Sequence, residues 1–310
     1  MVLPRPRGPN RSTRIPAQPT MSIPACAPRT FPFIPLRRRS ALWLAAVLLL
    51  AGACAAGSLR AATEEELNQR FAEANLKLQA KDYAEAIELY NDILEQEPKS
   101  DNVWINRAIA KAGLSDISGA RVDLAMAISL NPESVEAYRY RAVLRFQAED
   151  FAGSVADLDA AIRLVPDNAG FFGRRGEVHR RLENPGDALA DFSRAIELEP
   201  GFVQARLHRA EIQREREDDT AAQADYDRVI ELAPDTALAW KERGWIKFRR
   251  QDLAGALADG LKSRELQSKV ADSFRLTGYA QFGLGDYPAA IATLTQAAEL
   301  EKENAAYPLF

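Results

Sequence analysis

The sequence predicts an all-α, right-handed solenoid of seven helix-turn-helix repeats, each 34 residues long. Three periodic features carry this expectation. Prolines stand at 98, 132, 166, 200 and 234, always 34 apart. Small residues return with the same period at two places, first Ala74, Ala108, Ala142, Gly176, Ala210, Gly244 and Gly278, then Ala86, Ala120, Ser154, Ala188, Ala222, Ala256 and Ala290. An Asp or Asn keeps step between them, as Asp82, Asp116, Asp150, Asn184, Asp218, Asp252 and Asp286.

Taking the proline as position 32 sets the repeats at 67–100, 101–134, 135–168, 169–202, 203–236, 237–270 and 271–304, with no insertion. Thr63-Glu-Glu-Glu66 reads as a capping box that starts the first helix near residue 64 and the solenoid at 63. Within each repeat, small residues at positions 8 and 20 let two antiparallel helices approach, and bulk at 4, 17 and 24 fills the remaining space. Position 24 is large in six repeats (Tyr90, Leu124, Leu158, Phe192, Tyr226, Leu294) and is Gly260 in repeat 6. Asp or Asn at position 16 supplies an acceptor for the unpaired amides at the start of the second helix. Proline at 32 ends that helix and turns the chain into the next repeat.

This pattern resembles the tetratricopeptide repeat family. The resemblance covers residues 67–304 and rests on the aromatics Trp104, Tyr138, Phe172, Trp240 and Phe274, on Ala188-x-x-x-Phe192, and on the prolines. Repeat 6 departs from it, with Gly260 for a large residue and Ser268 for the proline. A looser helix pair is expected there, its second helix running on towards repeat 7. Residues 305–310 form a tail too short for a capping helix, so Tyr307, Leu309 and Phe310 either cover the last pair or leave it open to self-association.

The segment before the repeats has another character. Nine of the 40 basic groups and none of the 44 acidic groups fall in residues 1–60, so this part carries +9 and the rest −13. Residues 1–40 are rich in Pro and Arg without a helical or strand period, as expected of a disordered leader. Arg37-Arg38-Arg39 then abuts the apolar run 41–57, followed by small-x-small triplets that suit cleavage of an export signal. The expectation is an exported, periplasmic or cell-envelope protein. The same residues also suit an uncleaved membrane anchor, lipid attachment at Cys54, or an organellar transit peptide. Contact with a membrane would then run through 41–57 or Cys54 alone.

Composition excludes much chemistry. A body carrying −13 repels phosphate backbones, so nucleic acid is not expected as a partner. Both cysteines, Cys26 and Cys54, lie in the leader, leaving no thiolate for catalysis or metal binding in the repeats. His179 and His208 have no partner at ligand spacing. Gly255-Ala-Leu-Ala-Asp-Gly260-Leu-Lys262-Ser263 nearly spells a phosphate-binding loop, but it falls in a predicted helix with no preceding strand. No catalytic residue, metal or cofactor is expected, and the chain reads as a non-enzymatic interaction scaffold. An accessory subunit of an envelope enzyme or assembly machine is the alternative.

The family resemblance implies that first-helix positions 2, 5, 6, 9, 12 and 13 line a concave binding groove. Here they yield Arg139, Tyr140, Phe146, Arg174, Arg180, Arg181, His208, Arg214, Lys241, Trp245, Phe248, Arg249, Arg275, Tyr279 and Phe282. A stripe of cations and aromatics suits an extended, partly acidic peptide or protein segment. The competing expectation is that these cations pair with acids such as Glu177, Glu211 and Glu242. Trp245 stands out because Trp104 and Trp240 occupy the packing position. The carboxylate clamp of chaperone adaptors is matched only by Asn75 and Asn106; Phe71, Glu136 and Tyr140 replace its cations.

Overall fold

Fourteen α-helices follow one another, with no strand among the described residues, in the computed structural model, which describes residues 63–306. The first helices of the seven repeats are α1 (Glu64–Gln79), α3 (Asp101–Gly113), α5 (Val135–Gln147), α7 (Ala169–Arg181), α9 (Val203–Glu215), α11 (Ala237–Arg249) and α13 (Ala271–Gly283). The second helices are α2 (Tyr83–Gln96), α4 (Ile117–Leu130), α6 (Phe151–Leu164), α8 (Pro185–Leu198), α10 (Asp219–Leu232), α12 (Leu253–Leu266) and α14 (Tyr287–Ala306). The leader 1–40, the apolar run 41–57 with Cys54, and residues 307–310 lie outside the described residues.

Local chemistry sets these boundaries. The capping box is present: Thr63 Oγ1 accepts from the Glu66 amide at 3.2 Å, and Glu66 Oε2 accepts from the Thr63 amide at 2.8 Å. Asp116, Asp150, Asp218, Asp252 and Asp286 each accept from an amide in the first turn of the following helix, at 2.9–3.2 Å, whereas Asp82 and Asn184 make no such bond. The residue before each cap takes a left-handed conformation, from φ 55° at Glu183 to 86° at Gly285. Six of the seven are not glycine. Closure of the turn holds them there, as in the bond from the Asp150 amide to the Arg145 carbonyl at 2.8 Å.

Consecutive helices pack on one another throughout, and Ala86, Ala120, Ala188, Ala222 and Ala256 are wholly buried where the two helices of a repeat meet. Tyr90, Leu124, Phe192 and Tyr226 fill the space those alanines leave. First helices also approach one another, α1 to α3, α3 to α5, α7 to α9 and α11 to α13, whereas second helices do not. The first helices therefore form the inner wall.

Repeat 6 is not the loose pair expected. α12 ends at Leu266, in step with its counterparts, and the Gln267 amide closes it on the Ser263 carbonyl at 2.9 Å. The space above Gly260 belongs to the next repeat: a Cβ there would lie 2.8 Å from Thr277 Oγ1 and 3.3 Å from Leu276 Cγ. Leu276, fully buried, supplies the missing bulk. The last helix, with Lys302 where repeats 1–5 have proline, is longer than its counterparts and runs to Ala306.

A second register runs through the interior repeats. Arg107, Arg141, Arg175, Arg209 and Arg243, at position 7, each make a two-pronged bond to Asp123, Asp157, Asp191, Asp225 and Asp259 at position 23, at 2.6–2.9 Å. All five carboxylates are buried. Three gain a second cation from position 11, Lys111 at 2.8 Å, Arg145 at 2.9 Å and Lys247 at 2.9 Å, and in repeat 4 the His179 ring lies 3.8 Å from Asp191. In repeat 5, where position 11 is Gln213, Arg206 takes that place at 3.3 Å. Several of the arginines also reach back one repeat, Arg175 to Asp159 at 2.6 Å and Arg243 to Asp227 at 2.7 Å. The terminal repeats carry Glu73 with Leu89 and Thr277 with Thr293 instead, so the ladder belongs to repeats with a neighbour on both sides.

Candidate peptide-binding groove

The groove is the inner wall, and its floor changes character along the array. Between repeats 1 and 2, Asn75 Oδ1 accepts from Tyr90 Oη at 2.7 Å and from Asn106 Nδ2 at 2.9 Å. The two asparagines that match the carboxylate clamp are thus bonded to each other. Between repeats 2 and 3, Tyr140 packs into the core of repeat 2, with the Arg139 guanidinium 4.1 Å from its ring centre. Arg139 also pairs with Glu136 at 3.3 Å.

From repeat 4 to repeat 7 most groove cations are engaged. Arg180 binds Glu211 at 2.9 Å, and His208 Nδ1 lies 3.4 Å from the same carboxylate. The hydrogen bond with His208, aided by Arg180, holds Glu211 below the usual carboxylate range. Arg214 reaches Glu242 at 3.4 Å, and Lys241 reaches Glu242 at 3.0 Å and Asp272 at 3.3 Å. Arg249 holds Asp219 at 3.0 Å through Nε, and Arg275 joins Asp272 at 2.8 Å to Glu301 at 2.7 Å. Burial alone would raise Asp272, but hydrogen bonds from Arg275, Trp245 and Lys241 carry it below its ordinary value. Arg174 and Arg181 are the two groove arginines of the predicted set without a carboxylate partner among the described residues.

The predicted aromatics other than Tyr140 fall into three groups. Trp245, Phe248 and Tyr279 pack mutually, ring centres 5.8–6.2 Å apart, and Trp245 Nε1 donates to Asp272 at 3.2 Å. Trp104 and Trp240 instead donate to the carbonyls of Pro98 and Pro234, both at 2.8 Å, which fixes them at the repeat boundary. Phe146 meets Phe151 edge-on at 5.5 Å, with Arg181 over both rings. Phe282 is exposed and lies against Tyr287.

Two features escaped the sequence reading. One is the ladder, whose 16-residue spacing only an antiparallel helix pair brings together. The other is a pair of hollows on either side of Arg174 and Glu177: one of about 200 Å³ between α5 and α7, one of about 420 Å³ between α7 and α9. A signal was present, since Gly170 and Gly173 at two groove positions leave the inner face of α7 bare. The near match to a phosphate-binding loop lies inside α12, where the helix already uses the amides.

Comparison with known proteins agrees with this architecture. Tetratricopeptide repeat models match residues 67–111 and, for a second model, 105–169, 174–228 and 218–271. No curated protein is a match. Among solved structures, YrrB, described as a TPR protein with an unusual peptide-binding site, is 21% identical with TM-score 0.52, covering 59% of this chain and 95% of its own. MamA is 19% identical with TM-score 0.51, covering 58% of this chain and 98% of its own. The C-terminal part of a TPR protein from Cytophaga hutchinsonii reaches TM-score 0.65 at 17% identity, covering 75% of this chain and 95% of its own. At these identities the likeness is one of fold. With the matched models spanning more than half of its length, the chain belongs to the tetratricopeptide repeat family.

Proposed function

We propose that this protein is a non-enzymatic scaffold that holds a peptide or protein segment along the inner wall of repeats 3–7. The observation that carries this is the exposure there of two arginines without a carboxylate partner among the described residues, Arg174 and Arg181, and of the aromatics Tyr279 and Phe282. Such residues offer large contact area and are enriched among those that dominate interface energies. The peptide-binding site ascribed to YrrB is consistent with this use of the fold. Random-peptide display on the full chain tests it. Selected peptides should lose about tenfold or more in affinity when Arg174→Glu is combined with Trp245→Ala. They should be unaffected by Val122→Glu, at an exposed second-helix position. The reverse pattern would move binding to the outer wall and end the groove reading.

The scaffold acts outside the cytoplasm, or at its envelope, under the same proposal. Support comes from the arginine triplet ahead of the apolar run 41–57 and the small residues that follow it. The intact mass and N-terminal residue of the mature protein, from soluble and membrane fractions, decide its form. A soluble chain beginning between Cys54 and Thr63 is the expected result. A membrane form that keeps Arg37–Gly57, or begins at a lipid-bearing Cys54, would make it a tethered platform.

A further inference from the structure

The repeat register supplies an internal control for the groove floor. Positions 9 and 12 of one first helix and 6 and 9 of the next converge at every junction, and at most of them their side chains close it. The asparagine pair does so between repeats 1 and 2, and Tyr140 between 2 and 3. Arg180 bridges to Glu211 between 4 and 5, beside the hollow of about 420 Å³, Arg214 bridges to Glu242 between 5 and 6, and the Trp245 cluster spans 6 and 7. At the junction of repeats 3 and 4 these positions make no hydrogen bond or ion pair across it among the described residues. Val143 and Phe146 meet Arg174 and Glu177, and the latter two are exposed. What remains is the hollow of about 200 Å³, walled by Val143, Phe146, Leu158 and Val178, with Ala142 and Ser154 at its base. The Ser154 hydroxyl donates to the Ala142 carbonyl at 2.9 Å, so it offers the hollow no free O–H donor.

The charges at the mouth are equally particular. Arg174 stands on the rim, and Arg181 lies over Phe146, which forms one wall, at 5.5 Å. These are the two groove arginines that no carboxylate neutralises, in a body that is otherwise acidic. An apolar socket with Arg174 at its rim, and with Arg181 stacked on the Phe146 and Phe151 rings beside it, complements an apolar side chain adjacent to a carboxylate. Glu177 adds an acceptor at the same rim for a backbone N–H of the bound chain.

We infer that the junction of repeats 3 and 4 is the specificity pocket of the groove, taking a leucine- or isoleucine-sized side chain of an extended peptide whose neighbouring Asp or Glu binds Arg174 and Arg181. This inference rests on the groove reading above but localises it. The probe is a set of short synthetic peptides that pair Leu with Glu at varied spacing, beside matched sets with Ala for Leu and with Gln or Lys for Glu. Binding to the purified full chain is measured by fluorescence polarisation. The Leu/Glu set should bind best, and its affinity should fall about tenfold or more with Val143→Trp, which fills the socket, and separately with Arg174→Glu. Arg174 is exposed, so its variant keeps the fold, as circular dichroism melting will show. Val122→Glu, at an exposed second-helix position, should leave this binding within about twofold. Peptides that respond to Trp245→Ala but not to Val143→Trp or Arg174→Glu would overturn the pocket and leave the groove reading standing. Peptides indifferent to all three changes would overturn both. Binding by none of the sets, or equal binding by all of them, would overturn the pocket.

Discussion

Replacing Asp157 by alanine is expected to cost about 3–5 kcal/mol of stability, the range for removing one partner of a buried ion pair. The carboxylate is 2% exposed and faces two cations at once, Arg141 at 2.6 Å and Arg145 at 2.9 Å. Alanine would leave both guanidiniums, each less than a quarter exposed, turned towards a cavity without a counter-charge. An exposed pair such as Arg194 with Glu197 would cost less than about 1 kcal/mol on the same treatment. Urea titration should show the difference, and hydrogen exchange should place the weakened amides in α5, α6 and their neighbours, because repeats couple mainly to adjacent repeats. Substituting Arg141→Met together with Asp157→Leu should recover most of the loss, since Arg145 keeps the Gly153 carbonyl at 2.9 Å. A loss below about 1 kcal/mol for Asp157→Ala would mean that the ladder behaves like surface charge.

That ladder marks the limit of what periodicity alone reveals. Helices, turns and caps were legible because each depends on residues close in the chain, as Thr63 does with Glu66 or Asp150 with Gly153. Position 24 was legible in most repeats because its partner is the small residue at position 8 of the same repeat. Gly260 misled because its filler, Leu276, comes from the following repeat. Arg141 and Asp157 were visible as letters in strict register, yet charges on helices ordinarily face solvent, and the spacing lies outside the reach of a single helix. The groove positions followed from the family register. Which groove cations stay free did not, because Arg180 is taken by Glu211 and Arg214 by Glu242, each from the next repeat. The expected pairing of groove cations with acids therefore holds for most of them, and Arg174 and Arg181 are what the pairing leaves over among the described residues.

Phe192→Ala is expected to cost about 3–5 kcal/mol, as for a fully buried aromatic cut back to alanine. Its ring fills the space between α7 and α8 and lies 5.4 Å from the His208 ring on α9, so the cavity would open at a joint shared by two repeats. The fit depends on Gly176, where an added Cβ would lie 2.9 Å from the phenylalanine ring. Repeats 2 and 3 solve the same problem with Ala108 and Leu124, and with Ala142 and Leu158. Importing that solution gives the decisive comparison. Gly176→Ala alone should destabilise by overpacking, by about 1–3 kcal/mol, and Phe192→Leu alone should destabilise by leaving a void. The double variant should be more stable than the sum of the two losses implies, with a coupling of about 0.5–3 kcal/mol. Strict additivity in denaturant titrations would show that positions 8 and 24 do not share one volume. Coupling of the expected sign would show that each repeat sets its own helix separation through this pair, and with it how far apart adjoining first helices stand along the groove.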